Sequence, residues 1–334
     1  ILESTVPNTW VVLVNFNGTA DTRACVRSLA GQPASVVLVD NASAPDPTAQ
    51  LREEFPGIHF VRSEVNGGWA GGNNLGLRFA LDRGADLVVL LNNDTTVSPD
   101  LIARLVAAAE AYPEFGIIGP VIRFMDPPCE VQTDGVAFNR PDRPGFFQRS
   151  PVPLDSREIP QVSEVDIVNG CCLMVRREVV ERIGLIDEDF FLIHEESDFC
   201  LRSQRAGFRN GVLAEALVWH KGSSTFKREG KRLQRYFDAR NLVKLIARHG
   251  HRRGSRGKLR SFGHHLRYSW HRYSAEREGG FRESADAVVE GLYDAVAGDY
   301  GPYAKRPRPG VGVLRSAFDA AWRLKGAVDR GPAS

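Results

Sequence analysis

The chain has 334 residues, of which 43% are hydrophobic and 25% charged, and its net charge is +2. This length accommodates one large α/β domain with a smaller appendage, and the near-neutral charge gives no indication of a polyanionic partner such as nucleic acid. The five cysteines are odd in number and show no C-x-x-C spacing, which argues against a disulfide framework or a structural zinc site. We therefore expect a reducing, cytosolic setting. The lack of a signal peptide or a membrane-length apolar run predicts a soluble or peripheral protein.

The first half of the chain alternates strand-like and helix-like segments, which is the pattern of βαβ units around a parallel sheet. The predicted strands are residues 10–14, 35–39, 58–61, 87–91 and 116–122, and the predicted helices are residues 21–30, 70–83 and 99–112. Residues 124–165 are rich in Pro, Gly and charge and predict one or two strands with a long functional loop. Strands are then predicted at 165–168, 172–175 and 212–220, and helices at 176–183, at 196–206 and from 229 onward.

Residues 87–94 contain five consecutive apolar residues that end abruptly at Asn92, Asn93 and Asp94. An apolar run of this length suits a parallel strand that is buried on both faces. Ligands bind beyond the carboxyl ends of such strands, and Mg²⁺ or Mn²⁺ is commonly held by one or two carboxylates together with substrate phosphates. Asp94 is thus a candidate metal ligand, although a turn in which Asp94 or Ser98 caps the next helix explains the same residues.

Three of the predicted strands end in polar residues, namely Asn15, Asp40 and Asn92, which predicts a ligand-binding edge of the sheet. Asp40 is there either a free acceptor or a turn and capping residue. The segment 66–74 contains four glycines and three asparagines, so its backbone can approach a ligand closely. It lacks the lysine and spacing of a P-loop, and by itself it is equally typical of a turn before a helix.

Three carboxylates, Glu195, Glu196 and Asp198, fall within four positions at the start of a predicted helix. Acidic residues are favoured at a helix N-terminus, so simple capping accounts for them. Crowded carboxylates also raise one another's pKa, which suits a general base. His220 follows the apolar residues 217–219 and is either a metal ligand or a hydrogen-bonded structural residue.

Five motifs occur in the same order as in a known enzyme family. They are Val11 to Gly18, Val39 to Ser43, Asn66 to Asn74, Asn92 to Asp94 and Phe190 to Arg202. Together they resemble the family 2 inverting glycosyltransferases with the A-type glycosyltransferase (GT-A) fold, particularly the rhamnosyltransferase-like branch, over about residues 10–250. The fold expected from this resemblance is α/β, with a Rossmann-like, mostly parallel sheet flanked by helices and a basic helical extension at the C-terminus.

The resemblance implies a role for each matching residue. Glu196 corresponds to the base that deprotonates the acceptor hydroxyl, Asp94 to the metal ligand, and His220 to a histidine that completes the coordination of Mn²⁺ or Mg²⁺ in some relatives. Asn92 stands where the family usually has a first Asp, which lowers the local negative charge. The implied donor-binding residues are Asn15, Asn17, Asp40, Asn66, Gly72, Asn73, Asn92 and Asn93. The implied acceptor-binding or supporting residues are Asn169, Gly170, Glu195, Asp198 and Arg202, with Arg202 one helical turn from Asp198 and able to pair with it.

The implied activity is an inverting, metal-assisted transfer of a sugar from a dTDP- or UDP-sugar to a hydroxyl of a glycan or polyprenyl-linked acceptor. Asp40 would accept the imide N–H of uracil or thymine, and dTDP-rhamnose is the preferred donor. Two other functions explain parts of the sequence. A nucleotidyltransferase-like enzyme would carry a Gly-rich loop with Lys or Arg at residues 15–19, which is missing, and a non-catalytic sugar-nucleotide-binding module would not need the acidic cluster at 195–198.

The basic charge is concentrated in one segment, because residues 221–277 contain 17 Lys and Arg against three Asp and Glu. Aromatic residues are interleaved with these cations, which is typical of contact with an anionic membrane surface. A solvated helical face or a homo-oligomer interface accounts for the same pattern, whereas nucleic-acid binding gains nothing from a sugar-transfer site. We expect residues 1–228 to form the glycosyltransferase domain and residues 229–334 a basic helical region. The protein would then be cytoplasmic, or peripheral on the inner face of the plasma membrane.

Overall fold

A computed structural model of the chain describes residues 6–126, 131–133, 135, 161–222, 231–249 and 254–329. The chain divides into two compact units: Ile1–Phe191 with Glu195–Ser223, and Leu192–His194 with Ser224–Ser334. The predicted boundary at 228 and 229 and most of the predicted loop at 124–165 lie outside the described residues, as does Cys129.

The first unit contains a ten-stranded sheet with helices between its strands. Its strands are β1 (Thr9–Asn15), β2 (Ser35–Asn41), β3 (His59–Ser63), β4 (Leu87–Asn92), β5 (Thr95–Val97), β6 (Phe115–Phe124), β7 (Val131–Thr133), β8 (Val162–Val165), β9 (Cys172–Arg176) and β10 (Arg209–His220). Its helices are α1 (Thr19–Ser28), α2 (Thr48–Glu54), α3 (Gly68–Leu81), α4 (Leu101–Ala111), α5 (Arg177–Ile183) and α6 (Glu195–Arg205), with a short 3₁₀ helix at Glu188–Phe190.

The strands lie in the order β3-β2-β1-β4-β9-β6-β10-β5, while β7 pairs with β6 and β8 with β10. The strands β3, β2, β1 and β4 are parallel neighbours, as the alternation of strands and helices predicts. In contrast, β9 runs antiparallel to both β4 and β6, so the sheet is parallel in one half and mixed in the other. The predicted α/β class with a mostly parallel sheet is confirmed, because β6 and β10 also run parallel and the longest pairings of the sheet are all parallel.

The register of the parallel strands brings their carboxyl ends to one edge of the sheet. Asn15 lies opposite Asp40, and Val14 lies opposite Asn92. Both faces of these strands are buried: Val11 and Leu13 belong to one apolar cluster and Trp10 and Val12 to the other. Covering on both faces explains why the strands read as continuous apolar runs rather than alternating ones. Polar residues are therefore confined to the strand ends, where they form the site.

Three short elements differ from the sequence-based expectation. Helix α2 and strand β5 were not predicted, and the strand expected at 165–168 instead occupies Val162–Val165. Strand β5 has three residues, which is too few to show a periodic pattern. It matters because it pairs antiparallel with the end of β10, placing Thr95 opposite His220. This pairing, rather than a helix cap, determines the position of Asp94.

The second unit is helical, with α7 (Lys231–His249), α8 (Gly254–Glu278), α9 (Arg282–Ala297) and α10 (Val311–Asp329). Its core includes Tyr273 and Phe318. Within this unit the Asn241 side chain donates to the carbonyl oxygens of Leu192 and Ile193, at 2.8 and 2.7 Å. Throughout the described parts of the chain, no helix has the length and apolar character needed to cross a bilayer.

Candidate active site

Asn15 is fully buried at the end of β1, and its side-chain amide joins the surrounding segments. Its Nδ2 donates to Asp40 Oδ1 (2.8 Å) and to Ser43 Oγ (3.1 Å). Its Oδ1 accepts hydrogen bonds from Thr22 Oγ1 (2.9 Å), Gly18 N (3.2 Å) and Asn93 Nδ2 (3.4 Å). Both amide hydrogens are therefore used within the protein. Asn15 can therefore orient the residues around a bound donor. The geometry does not support a direct hydrogen bond from the Asn15 NH₂ group to the donor.

Asp40 is not the free acceptor that the sequence suggested. Its carboxylate is 3% exposed and accepts hydrogen bonds from the Asn15 side chain, from the backbone N–H of Ser43 (3.1 Å) and from the Arg62 guanidinium. Arg62 also lies 3.1 Å from Asp46. An ionised carboxylate offers about four acceptor positions, so roughly one remains for a ligand. Asp40 is thus a held and oriented acceptor, and Arg62 is a site residue that the sequence motifs did not reveal.

The Gly-rich segment at the start of α3 is fixed by side-chain amides. Asn41 donates to the carbonyl oxygen of Gly68 (2.9 Å) and to Asn66 Oδ1 (3.0 Å), while Asn73 donates to the carbonyl oxygen of Trp69 (2.9 Å). A Cβ at Gly72 would lie 2.6 Å from Val14 Cγ1, so this glycine allows α3 to pack closely on β1. Of the implied donor-binding residues here, Asn66 shapes the loop, whereas Gly72 and Asn73 are buried in the packing.

Two further implied donor-binding residues lie on loops at the same sheet edge. Asn17 is exposed and has a left-handed backbone (φ 54°), and its Oδ1 accepts from the N–H of Ala44 at 2.9 Å. Asn93 is half-buried and donates to Thr22 Oγ1 at 2.8 Å. The hydrogen bonds of both side chains therefore stabilise the loops that follow β1, β2 and β4.

Trp69 fixes the orientation of Asn92. Its indole N–H donates to Asn92 Oδ1 at 2.9 Å. Because an indole N–H can only donate, the Asn92 side chain must present its oxygen to Trp69 and turn its NH₂ group away. Asn92 therefore offers a ligand hydrogen-bond donors, and its oxygen is not available to a metal unless this bond breaks. The sequence shows Trp69 within the Gly-rich segment, but it cannot show that Asn92 is the hydrogen-bond partner of this indole.

Asp94 and His220 lie side by side, both more than nine-tenths buried. The distance from His220 Nε2 to Asp94 Oδ1 is 3.2 Å, yet Nε2 makes no hydrogen bond within the described structure, so this is an ion-pair distance without hydrogen-bond geometry. The other ring nitrogen, Nδ1, lies 2.9 Å from Gln132 Oε1 on β7. Since an amide oxygen only accepts, Nδ1 carries a proton in this contact, and the other ring nitrogen, Nε2, faces the carboxylate.

This arrangement fits a divalent cation. In the neutral imidazole, Nε2 and Asp94 Oδ1 would be two electron-rich atoms 3.2 Å apart, and a cation bound by both would offset their repulsion. Neighbouring ligands of an octahedral ion with bonds of about 2.1 Å lie about 3 Å apart, which matches the Asp94–His220 separation. Carboxylate oxygen and neutral imidazole suit Mn²⁺ or Mg²⁺. Among the residues that the structure describes, no cluster of three His, Cys, Asp or Glu side chains suited to a metal occurs, so these two would be the protein ligands.

The buried cysteines near this pair are not candidate metal ligands. Cys25 lies 3.5 Å from Thr95 Oγ1, and burial raises the pKa of its thiol to about 12. Burial likewise raises the pKa of Cys171 and Cys172. A thiolate is the form of cysteine that binds metals or attacks a substrate, so these cysteines act as small core residues.

The acidic cluster starts α6 and contains two carboxyl groups in different environments. Glu195 is 4% exposed, and its Oε2 has no hydrogen-bond partner within the described residues. Burial, followed by the charge of Glu196, raises the pKa of Glu195 well above its usual range. Glu196 is half-buried and accepts a hydrogen bond from Ser197 Oγ at 3.0 Å. The raised pKa thus belongs to Glu195, while the accessible carboxylate is that of Glu196.

Gly170 lies against Glu196 on the turn before β9. A Cβ at this position would lie 3.3 Å from Glu196 Cβ and 3.4 Å from the Trp69 ring, so a side chain would crowd both. The preceding Asn169 accepts a hydrogen bond from the N–H of Cys171 at 2.8 Å and thereby shapes the turn. Glu196, Gly170 and Trp69 are therefore neighbours, and Trp69 connects this group to Asn92.

Asp198 and Arg202 form a supporting pair on α6. Asp198 is fully buried and accepts from Arg202 Nε at 2.8 Å, as the spacing of the two residues predicts. Arg202 also donates to the carbonyl oxygens of Ile183 and Leu185. This pair ties the first turns of α6 to the segment after α5 and helps to hold the backbone that carries Glu196.

The fold is that of the GT-A glycosyltransferases, with a central sheet flanked by helices. The family model described as glycosyl transferase family 2 matches residues 10–184, which is more than half of the chain. The chain therefore belongs to glycosyl transferase family 2, and this result confirms the resemblance seen in the sequence motifs.

Three characterised relatives are similar over most of their own length. The low-salt glycan biosynthesis hexosyltransferase Agl10 of Haloferax volcanii is 29% identical over 237 residues, covering 69% of this chain and 73% of the relative. The dTDP-rhamnosyl transferase RfbF of Shigella flexneri is 25% identical over 72% of this chain and 80% of its own. The N-acetylglucosaminyl-diphospho-decaprenol L-rhamnosyltransferase of Mycobacterium tuberculosis is 28% identical over 58% of this chain and 69% of its own.

The fold also matches a solved structure. The crystal structure of residues 1–349 of S. aureus TarS in complex with UDP aligns with a TM-score of 0.54 and 15% identity, covering 97% of this chain and 92% of that one. At this identity the similarity concerns the fold alone. It agrees with a mixed sheet flanked by helices, followed by a helical C-terminal region.

The raised pKa of Glu195 generates a prediction about stability. A carboxyl group whose pKa is raised by folding binds its proton more tightly in the native state, so the free energy of unfolding falls as pH rises above the ordinary value of 4.5. Glu195→Gln keeps the shape of the side chain and removes this penalty. We expect its Tm to exceed that of the wild type by about 2–4 °C at pH 8 and by less at pH 5, measured by calorimetry. Glu181→Gln, an exposed carboxylate on α5, is the control and should show no such trend. A Tm difference for Glu195→Gln that does not change with pH would contradict the assignment.

Proposed function

We propose that this chain is an inverting glycosyltransferase that transfers L-rhamnose from dTDP-rhamnose to a hydroxyl group of a glycan or polyprenyl-linked acceptor. The observation that carries the proposal is the buried pair of Asp94 and His220, whose facing atoms lie 3.2 Å apart at the edge of the sheet. A two-ligand cation site at the carboxyl ends of parallel strands suits a donor whose diphosphate supplies the remaining ligands.

Glu196 is the proposed general base. Its carboxylate takes the proton of the acceptor hydroxyl as that oxygen forms a bond to the anomeric carbon of the donor sugar. The bond from this carbon to the diphosphate oxygen breaks on the opposite face, which inverts the configuration and releases the nucleoside diphosphate. Access favours Glu196 over Glu195, because Glu196 is half-buried beside Gly170 whereas Glu195 is almost completely enclosed. A base must reach within hydrogen-bond distance of the proton that it removes.

Asp94 and His220 would hold the cation that assists the departure of the diphosphate. When bound, Mn²⁺ or Mg²⁺ supplies positive charge that offsets the charge developing on the leaving diphosphate. Gln132 accepts the Nδ1 proton of His220 and so keeps Nε2, the nitrogen that would bind the cation, turned toward Asp94. Hydrogen bonds of this kind to metal-binding histidines fix the tautomer and the orientation of the ring.

The donor is proposed to bind along the edge formed by β1, β2 and β4. Asp40 has about one acceptor position left, which suits the imide N–H of thymine or uracil. The NH₂ group of Asn92 is turned away from Trp69 and can donate to a donor oxygen. The relative from Shigella flexneri, a dTDP-rhamnosyl transferase, supports dTDP-rhamnose as the donor.

The acceptor is proposed to be a glycan or a polyprenyl-linked sugar. The relative from Mycobacterium tuberculosis is a rhamnosyltransferase whose acceptor is N-acetylglucosaminyl-diphospho-decaprenol, and this name supports a lipid-linked acceptor in polysaccharide synthesis. An acceptor of that kind lies in a membrane, so we also propose a peripheral location on a membrane surface.

Glu196→Gln tests the base. The amide has the same shape but cannot accept a proton at neutral pH, so we expect transfer to fall by at least about a hundredfold, with donor affinity close to that of the wild type. Release of dTDP in the presence of acceptor measures the first quantity, and calorimetric titration with dTDP measures the second. Glu181→Gln serves as the matched control on an exposed position of α5. Turnover within a few-fold of the wild type would exclude Glu196 as the base.

Asp94→Ala tests the link between the cation and the donor. In a thermal-shift series with Mn²⁺, dTDP-rhamnose should stabilise the wild type more than UDP-sugars do, because binding to the native state raises Tm. The variant should lose the part of this stabilisation that depends on Mn²⁺, since one of two protein ligands is gone. Equal shifts with and without Mn²⁺ in the wild type would contradict the cation site. A larger shift with UDP-sugars would change the assigned donor but not the reaction.

Gln132→Ala tests the hydrogen bond that orients His220. Removing such a partner weakens metal binding by about 10- to 100-fold, so we expect the Mn²⁺ affinity in the presence of dTDP to fall by at least tenfold. Electron paramagnetic resonance of free Mn²⁺ gives this affinity without any measurement of activity. Gln50→Ala, at an exposed position of α2, is the control. Unchanged affinity in Gln132→Ala would show that His220 does not depend on this contact.

A further inference from the structure

Trp69, in the Gly-rich segment at the start of α3, is a large apolar side chain that the core covers only in part. It packs against the apolar cluster that contains Val12 and Leu77. The rest of its surface is accessible, so the residue is half-buried. Ligands bind at the carboxyl edge of a parallel sheet, and their pockets are lined mainly by apolar and aromatic side chains. The accessible part of this indole is therefore a candidate ligand contact.

One edge of the indole contacts the donor side of the site. The ring N–H on this edge donates to Asn92 Oδ1 at 2.9 Å. Asn92 ends β4, two positions before the proposed cation ligand Asp94. This edge of the ring is therefore close to the place where we propose that the donor diphosphate binds.

The same edge of the indole lies beside the proposed base. A Cβ at Gly170 would lie 3.4 Å from Trp69 Cζ2 and 3.3 Å from both Cβ and Cγ of Glu196. The indole and Glu196 thus adjoin one small space, which a glycine does not fill and which we call the Gly170 notch. Gly170 and Glu196 are half-buried like Trp69, so the three residues together border the surface of their unit.

The backbone around Trp69 is held by contacts that do not involve the indole. The N–H groups of Trp69 and Ala70 donate to the carbonyl oxygen of Phe191, at 2.9 and 3.4 Å. Gly68 has a φ of 69°, and a Cβ there would collide with the same oxygen, so this close approach requires glycine. The start of α3 therefore keeps its position when the indole is replaced, and the ring is free to serve a ligand.

We propose that the indole of Trp69 is the surface against which the transferred sugar packs, an inference that rests on the proposed function. Inversion requires the acceptor hydroxyl and the diphosphate to lie on opposite faces of the anomeric carbon. The sugar must therefore lie between the diphosphate near Asn92 and the acceptor oxygen at Glu196. The edge of the indole adjoins both of these residues.

The chemistry of the ring suits a deoxyhexose. The N–H of the indole is already bound to Asn92, so the part of the ring beside the Gly170 notch offers only apolar contact. A pyranose carries C–H groups on its faces, and rhamnose has a methyl group at C6 where a hexose has a hydroxymethyl group. These groups gain free energy when they leave water for an aromatic surface.

A purely structural role for Trp69 makes a different prediction. If the indole only filled space and held Asn92, its removal would weaken the binding of a nucleoside diphosphate and of a nucleotide sugar alike. A contact with the sugar weakens the binding of the nucleotide sugar alone. The affinities for dTDP and for dTDP-rhamnose therefore distinguish the two roles without a measurement of turnover.

The first experiment compares Trp69→Gln with Trp69→Phe in the full chain. Calorimetric titrations with Mn²⁺ present give the Kd of dTDP-rhamnose and of dTDP. Trp69→Gln removes the ring but keeps a hydrogen-bond donor, so dTDP-rhamnose should bind at least about tenfold more weakly while dTDP binds as in the wild type. Trp69→Phe loses the N–H but keeps an aromatic surface, so the ratio of the two Kd values should stay close to that of the wild type.

Phe79→Gln is the matched control. Phe79 is a second half-buried aromatic residue of α3 that packs against the same apolar cluster as Trp69. It lies ten positions further along the helix, which takes it away from the sheet edge. This variant should bind both ligands like the wild type. Thermal unfolding shows whether each variant is folded.

A fluorescence measurement tests the contact without the Gln variant. In the wild type, dTDP-rhamnose should change the tryptophan emission more than dTDP does, and Trp69→Phe should lack this difference. The inference is overturned if Trp69→Gln has the same Kd ratio as Phe79→Gln, if Trp69→Gln weakens dTDP as much as dTDP-rhamnose, or if the fluorescence difference persists in Trp69→Phe. Absence of transfer by a wild type that shows the expected Kd ratios would instead contradict the proposed reaction, so the two failures are separately visible.

Discussion

The buried amide of Asn15 is the interaction on which the donor side of the site depends. It lies at the end of β1, opposite Asp40, and bonds to Asp40, Ser43 and Thr22. A buried amide is tolerated only when its hydrogen bonds are satisfied, and here each requires a neighbour in one particular position. Parallel pairing of β1 with β2 and β4 brings the strand ends together, and the Asn15 amide then fixes the loops that follow them.

The two glutamates at the start of α6 divide properties that are often attributed to one residue. Glu195 carries the raised pKa because it is buried beside a like charge, and this costs stability at neutral pH. Glu196 keeps access to the surface of the unit. A shifted pKa therefore does not by itself identify the base, and exposure and contacts must decide between adjacent carboxyls.

The sequence predicts the parts of this protein whose signals are local. Apolar runs of strand length located β1, β2 and β4, and the abrupt change to polar residues located the edge where Asn15, Asp40 and Asn92 meet. What it could not predict depends on pairing between distant segments. The antiparallel direction of β9 follows a connection of about 80 residues from β4, and no local pattern encodes it. Similarly, Asp40 contacts Arg62 on β3 and His220 contacts Gln132 on β7, and neither of these partner strands carries a motif.

The presence of Asn92 where the family usually has a first acid affects the charge of the site more than the contact with Trp69. An aspartate at this position would accept the indole N–H equally well, but it would also place a second negative charge near Asp94. The amide instead gives its oxygen to Trp69 and turns its NH₂ group away from Trp69, without a second negative charge. The proposed metal ligands are then Asp94 and His220, which is 126 positions later in the chain and is brought to Asp94 by the pairing of β5 with β10. A site with one carboxylate and one neutral imidazole carries less negative charge than a site with two carboxylates. It should therefore hold a divalent cation weakly until the donor diphosphate completes the coordination, so that cation and donor bind together.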